Sequence, residues 1–170
     1  MVPSLQPGDF IFTNMNYNCP NCLWGIERGD VAVFVFPNNR TQYYIKRIVG
    51  IPGDEVSVNS GVVSINGKEL GQIETNESNS STKIVTESID GRAWEVKPGD
   101  NSQNTTLTVK PGHVFVLGDN SSESNDSRQF DQVPLDDVVG RARQVWFSMN
   151  KDGIQWDRIG RSLIPAKARQ

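Results

Sequence analysis

A lysine within an apolar strand-like run is the first residue of this chain whose surroundings could give it a chemical role. Lys46 follows Ile45 and precedes the apolar pair Ile48 and Val49. A lysine on the apolar face of a strand loses hydration, so its pKa falls and its neutral amine can act as a general base. The alternative is a lysine on the solvent face of a half-buried strand, where it has no catalytic role.

A second candidate is the polar segment 118–128, which reads Gly-Asp-Asn-Ser-Ser-Glu-Ser-Asn-Asp-Ser-Arg. It follows a short apolar run, and loops that leave rigid strands often hold functional groups. The structural alternative is a hydrogen-bonded turn with capping Asp and Asn side chains. Asp119, Asn120 and Asp126 could also suit Ca²⁺, but the spacing is not that of an EF-hand and Arg128 lies beside them.

Few residues remain for metal or redox chemistry. The single histidine, His113, excludes histidine-based metal clusters and disfavours a catalytic triad that depends on histidine. Cys19 and Cys22 form one C-x-x-C pair in an Asn/Pro-rich stretch, with no second pair and no nearby histidine. A small loop disulfide, two free thiols, and metal or redox chemistry all stay open for this pair. We expect no cofactor and no metal site.

The elements that must position these residues are mostly strands. β-Branched and aromatic runs bounded by Gly, Pro and Asn predict strands over 31–36, 43–49, 55–59, 62–65, 107–110, 113–117 and 144–149. Acidic residues after Pro134 predict one short helix over 134–139. Regularly spaced short strands predict a mostly β fold, a β-barrel or a sandwich.

The composition changes between residues 68 and 106. Asn/Ser/Thr-rich stretches at 76–82 and 100–106 flank strand-like runs joined by Asp90-Gly91, a hairpin signal. This pattern predicts an inserted polar β-hairpin subdomain at 68–106. The remaining predicted parts are a main β domain of 1–67 and 107–161 and a C-terminal tail of 162–170.

Length and charge exclude several classes of protein. A chain of 170 residues, 36% hydrophobic and 22% charged, can form one domain with a core. Its net charge of −3 argues against nucleic-acid binding through bulk charge. The longest apolar run, 31–36, is far shorter than the roughly 20 residues that span a bilayer, so we expect no transmembrane span and no secretory signal.

Four segments in order resemble the signal peptidase I (leader peptidase) family of Ser/Lys serine endopeptidases. The family's Ser-Met-x-Pro-Thr-Leu and Gly-Asp motif is similar to residues 1–9, and its Arg-Gly-Asp-Val-Val-Val-Phe motif to residues 28–34. Its Tyr-Ile-Lys-Arg-x-Val-Gly-x-Pro-Gly-Asp motif matches residues 44–54 throughout. The loop motif Gly-Asp-Asn-Arg-x-x-Ser-x-Asp-Ser-Arg matches residues 118–128 except at Ser121, where Arg is usual.

The resemblance implies a catalytic dyad without histidine. Lys46 falls on the general base, and Ser124 falls on the hydroxyl that orients the lysine amine. The ion pairs that hold the family's loop against the strand fall on Arg47, Asp119, Asp126 and Arg128. We expect these four residues to support the site without acting in catalysis.

The implied substrates are signal peptides of secreted preproteins, bound as an added β-strand and cut after an Ala-x-Ala-type sequence. Met1, Leu5, Tyr44 and Ile45 fall on positions that line the pockets for the small side chains. Because side chains alternate along a strand, Tyr44 and Lys46 share one face.

The resemblance also implies a location at the extracytoplasmic face of the bacterial cytoplasmic membrane. Trp24 and the segment Phe10-Ile11-Phe12 could form an apolar surface that meets the membrane. The alternative places Phe10 and Phe12 in the core. The membrane surface is thus an expected partner, and nucleic acid is not.

The start of the chain departs from the family pattern. The family's nucleophile is the serine directly before the motif's Met, which here is Met1, and its membrane anchor lies further upstream. Ser4 is the nearest hydroxyl but falls on the motif's Thr position. We therefore expect an N-terminally truncated chain that carries the base without the nucleophile. The alternatives are a catalytically inactive peptide-binding or pilus-assembly relative and a pilus-related peptidase with narrower substrates.

Overall fold

The structure, a computed structural model, describes residues 1–17, 25–75, 83–99 and 104–168. The predictions for Cys19, Cys22 and Trp24 fall outside these residues. Within the described part of the chain, no helix is long and apolar enough to cross a membrane.

Strands dominate the chain, as predicted. In order they are β1 Asp9–Asn14, β2 Val31–Val35, β3 Tyr43–Gly50, β4 Glu55–Asn59, β5 Val62–Ile65, β6 Lys68–Glu69, β7 Gly71–Thr75, β8 Ile84–Ile89, β9 Arg92–Val96, β10 Thr105–Thr108, β11 His113–Leu117, β12 Val133–Pro134, β13 Val138–Asn150, β14 Gly153–Ile154 and β15 Ala166–Lys167. Within the described ranges, one short α-helix, α1, covers Ser127–Phe130, and 3₁₀ helices cover Ser121–Glu123, Leu135–Asp137 and Trp156–Arg158.

These strands form three antiparallel sheets. The largest has the order β1-β13-β2-β3-β11-β12, with β14 attached to β13. The second has the order β10-β4-β5-β6, and the third β15-β9-β8-β7. No strand pairing among the described residues joins β1 to β12, so the largest sheet stays open. The predicted mostly β class is confirmed, without a closed barrel.

The central strands of the largest sheet are buried on both faces, which explains why their sequences are continuous apolar runs. Side chains alternate along β11, so Val114 and Val116 enter one apolar cluster while Phe115 enters another. Strand β3 behaves in the same way with Ile48 and Val49. Layers on both faces therefore hold β3, the strand that carries Lys46, in place.

The described part of residues 68–106 shares a core with the main β domain. Val85 of β8 and Trp94 of β9 pack in the same buried cluster as Val49 and Phe115. Strand β15, from the segment expected as a tail, adds to this sheet by pairing with β9. The turn between β8 and β9 uses Asp90 and Gly91, both with positive φ, as a tight hairpin turn requires.

The predicted helix over 134–139 is present only as the 3₁₀ helix Leu135–Asp137. The rest of that segment belongs to β12 and to the start of β13, because Val138 pairs with Phe34 of β2. A β-branched residue beside a neighbouring strand gains more from the sheet than acidic residues gain at a helix start. The α-helix lies earlier, at 127–130, where the Asp126 side chain caps its first turn by accepting a hydrogen bond from Arg128 N.

Candidate active site

Lys46 and Ser124, which are 78 positions apart in the chain, meet in a hydrogen bond. The Lys46 amine donates to Ser124 Oγ at 2.8 Å. Strand β3 presents the lysine opposite Ala32 of β2, while β11 pairs with β3 from Arg47 onward. The loop after β11 therefore begins beside Lys46, and it folds back so that Ser124 contacts the lysine amine.

The surroundings of Lys46 favour its neutral form. Burial is the largest influence and lowers the pKa of its amine. The carboxylates of Asp126 and Asp119 raise this pKa, and Arg128 lowers it, with the net shift downward. A half-buried lysine with a lowered pKa loses its proton more readily than an exposed lysine, as a general base requires.

An ion pair within the loop fixes Ser124. Arg128 donates to both carboxylate oxygens of Asp126, at 2.8 and 2.7 Å, and both side chains are buried. Arg128 also donates to the carbonyl oxygen of Ser121, and Gly118 N donates to Asp126. These bonds join the beginning, middle and end of the loop, so its shape is set before any substrate binds.

A second buried ion pair fastens the loop to β3. Arg47 donates to the two oxygens of Asp119 at 2.8 and 2.7 Å. The same guanidinium donates to Gly29 O at 2.7 Å and to Ser4 Oγ at 3.0 Å. Ser4 is thus buried and bonded to Arg47, and it is not among the residues that line the space around the Lys46 amine.

These ion pairs also bear on the metal alternative. Asp119 and Asp126, two of the side chains considered for Ca²⁺, are engaged by Arg47 and Arg128. Among the described residues, no group of three or more His, Cys, Asp or Glu side chains could hold a metal ion.

A cleft of about 500 Å³ opens over Lys46 and Ser124. Met1, Leu5, Tyr44 and Ile45, the predicted substrate-binding residues, all lie along it. The cleft is also lined by residues that were not among the predicted substrate-binding positions: Val2, Gln6, Pro7, Tyr43, Asn120 and Glu123. The N-terminal segment forms one wall, β3 the floor and the loop after β11 the other wall.

The packing behind the cleft makes its floor rigid. The ring of Tyr44 stacks on Phe36 with centroids 4.2 Å apart, and Phe130 contacts the same ring edge-on. Ile45 packs against the buried cluster that contains Leu5. The residues of the floor can therefore move only if the core moves with them.

A match to a protein family follows from the same segments. Residues 1–147 match the family model described as signal peptidase, peptidase S26. This chain belongs to that family. Signal peptidase I of Rickettsia prowazekii (strain Madrid E) is 34% identical over 143 residues, covering 72% of this chain and 52% of that protein. Signal peptidase I of Pseudomonas fluorescens is 32% identical over 182 residues, covering 87% and 62%.

This chain therefore spans about half the length of the Rickettsia signal peptidase that it matches. Among solved structures, a crystal structure of a signal peptidase I from Enterococcus faecalis V583 is similar, with a TM-score of 0.46 and 29% sequence identity. The match covers 68% of this chain and 95% of that one.

A glycine of the signal-peptidase loop motif proves to be a spatial requirement. A Cβ atom at Gly118 would lie 2.1 Å from Ser124 Oγ and 3.3 Å from Lys46 Nζ. The loop can close over the lysine only where residue 118 has no side chain. The glycine at this position of the loop motif is the sequence feature that indicates the requirement.

Sequence reasoning missed Glu87, a buried carboxyl group next to the ion pair of Arg47 and Asp119. It lies on β8 opposite Trp94, whose ring also covers the Arg47 guanidinium at 5.4 Å. Burial, followed by the negative charge of Asp119, raises the pKa of Glu87 to about 7. No local sequence pattern marks this residue, because its environment is made by three separate segments.

An exposed apolar surface lies at the other edge of the largest sheet. Phe10 and Phe12 of β1 are 50% and 61% exposed, which contradicts their placement in the core. Both rings contact Trp146 of β13 at centroid distances of 6.1 Å. Three further exposed apolar side chains follow in sequence: Met149, Ile154 and Trp156. We call these six residues the aromatic edge.

Proposed function

We propose that this chain carries the catalytic site of a serine endopeptidase that cleaves signal peptides of secreted preproteins after an Ala-x-Ala-type sequence, with Lys46 as general base. The observation that carries the proposal is the half-buried Lys46 amine, hydrogen-bonded to Ser124 at the base of a cleft. Ser124 orients the amine so that its lone pair faces the nucleophile.

The nucleophile in this proposal is the hydroxyl of a serine joined to the amino group of Met1. Met1 lines the cleft, and burial together with the nearby charge of Lys46 lowers the pKa of its amino group. These two observations support a residue joined at this position as a neighbour of the lysine amine. Ser4 is less suitable, because its hydroxyl accepts a hydrogen bond from Arg47.

The reaction then needs only one proton carrier. The serine hydroxyl attacks the peptide carbonyl carbon and gives its proton to Lys46, and the protonated amine returns it to the leaving nitrogen as the C–N bond breaks. In the second step Lys46 takes a proton from water, whose oxygen attacks the acyl-enzyme. The serine recovers its proton when the acid product leaves.

Strand β3 offers an edge on which a peptide could bind. Residues 43–47 pair with β2 on one side, whereas β11 pairs with β3 only from Arg47 onward. On the β11 side, residues 43–46 therefore have no strand partner among the described residues, and they line the cleft. A peptide could complete the sheet there through main-chain hydrogen bonds, with alternate side chains directed toward Leu5 and Ile45.

The decisive experiment adds the proposed nucleophile. Two proteins are prepared with an N-terminal extension that ends in Ser or, as the matched control, in Ala. We expect only the Ser form to cleave an Ala-x-Ala peptide in detergent, and Lys46→Ala to reduce kcat of the Ser form by about a hundredfold or more. If the folded Ser form binds the peptide and does not cut it, the chain is a peptide-binding protein and the proposed function fails.

We further propose that the aromatic edge rests on the extracytoplasmic surface of the cytoplasmic membrane. Exposed aromatic rings are suited to the headgroup region of a bilayer. Co-sedimentation with phosphatidylethanolamine/phosphatidylglycerol vesicles should fall when Phe12 and Trp146 are both replaced by Ser. Ile73→Ser, which removes an equally exposed apolar side chain from β7, should bind as the parent does. Equal binding of all three proteins contradicts the proposal.

A further inference from the structure

Glu123 gives the cleft a negative charge next to the proposed site of cleavage. It directly precedes Ser124 and lines the same cleft as Lys46. Among the described residues along the cleft it is the only one with an acidic side chain. If Lys46 reacts as a neutral amine, Glu123 sets the charge that a bound peptide meets.

The carboxylate of Glu123 is held in position. Its Oε2 accepts a hydrogen bond of 2.7 Å from Asn120 Nδ2, and the 3₁₀ helix Ser121–Glu123 carries it. Asn120 is itself buried, and backbone hydrogen bonds between the neighbouring residues and Lys97 fix this part of the loop. A carboxylate has several acceptor positions, so one bond to Asn120 leaves it able to bind a donor from the cleft.

No described cation neutralises this charge. No Lys or Arg of the described chain forms an ion pair with Glu123. Arg47 and Arg128, the arginines at the loop, are committed to Asp119 and Asp126. At position 121, where the resembling loop motif has Arg, this chain has Ser. The wall is therefore more acidic than the motif alone would make it.

We propose that Glu123 forms a subsite for a basic side chain, Lys or Arg, of a bound peptide near the bond above Lys46. Peptide preference in this chain is then set by charge as well as by small side-chain size. The subsite itself requires only peptide binding, whereas its effect on turnover rests on the function proposed above. Because Glu123 is exposed, the preference should be modest and should weaken with salt.

The test measures binding separately from cleavage. A labelled Ala-x-Ala peptide is made with Lys, or with the uncharged norleucine, at each of three positions on either side of the bond. By fluorescence anisotropy, Lys should bind about three- to fivefold more tightly than norleucine at one or two adjacent positions in 50 mM salt. The ratio of the dissociation constants of the norleucine and Lys peptides should approach one in 500 mM salt and also in Glu123→Gln. In Glu123→Arg the norleucine peptide should bind more tightly than the Lys peptide.

Glu69→Gln is the matched control, because it removes an equal charge from exposed β6, outside the cleft. The proposal is overturned if no position favours Lys, if Glu123→Gln keeps the preference, or if Glu69→Gln loses it to the same extent. The Ser-extended protein tests turnover with the same peptides. Lys preference in binding without any cleavage supports the subsite and rejects the peptidase function, so the two failures are distinguishable.

Discussion

Arg47 and Asp119 join strand β3 to the loop that carries Ser124, through two buried hydrogen bonds of 2.8 and 2.7 Å. Arg47 directly follows Lys46 in the chain, and Asp119 lies five residues before Ser124. This ion pair therefore sets the distance between the lysine amine and the serine hydroxyl while touching neither. Trp94, from the third sheet, covers the guanidinium.

Replacing Arg47 by Lys should destabilise the fold. The Arg47 guanidinium makes four hydrogen bonds, two to Asp119 and one each to Gly29 and Ser4. A lysine ammonium has three N–H donors on a single atom, so at least one buried acceptor loses its donor. We expect a loss of about 2–4 kcal/mol in the free energy of unfolding, measured by urea denaturation. Arg161→Lys is the control, because its pair with Glu95 is half-exposed and should change stability by less than about 1 kcal/mol. Equal losses would contradict the role of Arg47.

The lowered pKa of Lys46 should be visible in the pH dependence of the Ser-extended protein. As pH rises, the amine loses its proton and becomes competent as a base, so kcat/KM should increase with pH. Because burial lowers the pKa, this increase should be centred below 10.5, the ordinary value for lysine. A rate that is flat with pH, in an enzyme limited by chemistry, would contradict Lys46 as base.

Ser124→Ala should affect catalysis more than folding. The change removes the acceptor of the Lys46 hydrogen bond, so the amine becomes free to rotate away from the nucleophile. We expect kcat of the Ser-extended protein to fall by about ten- to a hundredfold, with a smaller change in KM. Ser124→Thr retains a hydroxyl and should recover part of the rate. If Ser124→Ala leaves the activity of the Ser-extended protein unchanged, Ser124 does not position Lys46.

Gly118→Ala should separate Lys46 from Ser124. The added Cβ would overlap both Oγ and Cβ of Ser124, and the hydrogen bond from Gly118 N to Asp126 holds the backbone at residue 118. We expect a loss of activity in the Ser-extended protein and a destabilisation of about 1–3 kcal/mol. Gly67→Ala is an informative comparison, because its Cβ meets nothing within 4 Å and only its positive φ resists the change. It should lower stability without lowering kcat.

Glu87 should make the stability of this protein fall between mildly acidic and neutral pH. The unfolded chain ionises this carboxyl near 4.5, whereas the folded chain holds its proton until about pH 7. Between these values the unfolded state has lost the proton and the folded state has not, so rising pH favours unfolding. The penalty reaches roughly 3 kcal/mol above pH 7.

Glu87→Gln keeps the shape and removes that ionisation. It should match the parent near pH 4 and become more stable by up to roughly 3 kcal/mol at pH 8, by urea denaturation at each pH. Glu69→Gln, at an exposed position of β6, should show no such pH-dependent difference. A constant difference between Glu87→Gln and the parent across pH would show that the carboxyl is not perturbed by burial.

Short-range patterns determined much of this protein. The strands around Lys46 and before the loop of 118–128 follow from β-branched runs and turn residues, which act over a few neighbours. The resemblance of four motifs identified the family and indicated which polar residues form the site. The structure brings the Lys46 amine to 2.8 Å from Ser124 Oγ. Strand β1 and the full length of β13 were not predicted, because their pairing joins residues more than a hundred positions apart.

Other properties were decided only by tertiary contacts. The desolvation of Lys46, the raised pKa of Glu87 and the clash that reserves position 118 for glycine each need atoms from separate segments at defined distances. The exposure of Phe10 and Phe12 depends on the pairing of β1 with β13, which places both rings beside the exposed Trp146. Local sequence sets which residues are available and their backbone preferences. The burial and the ionisation of a side chain are set by the whole tertiary structure, because they depend on how much of that side chain the other segments leave exposed to water.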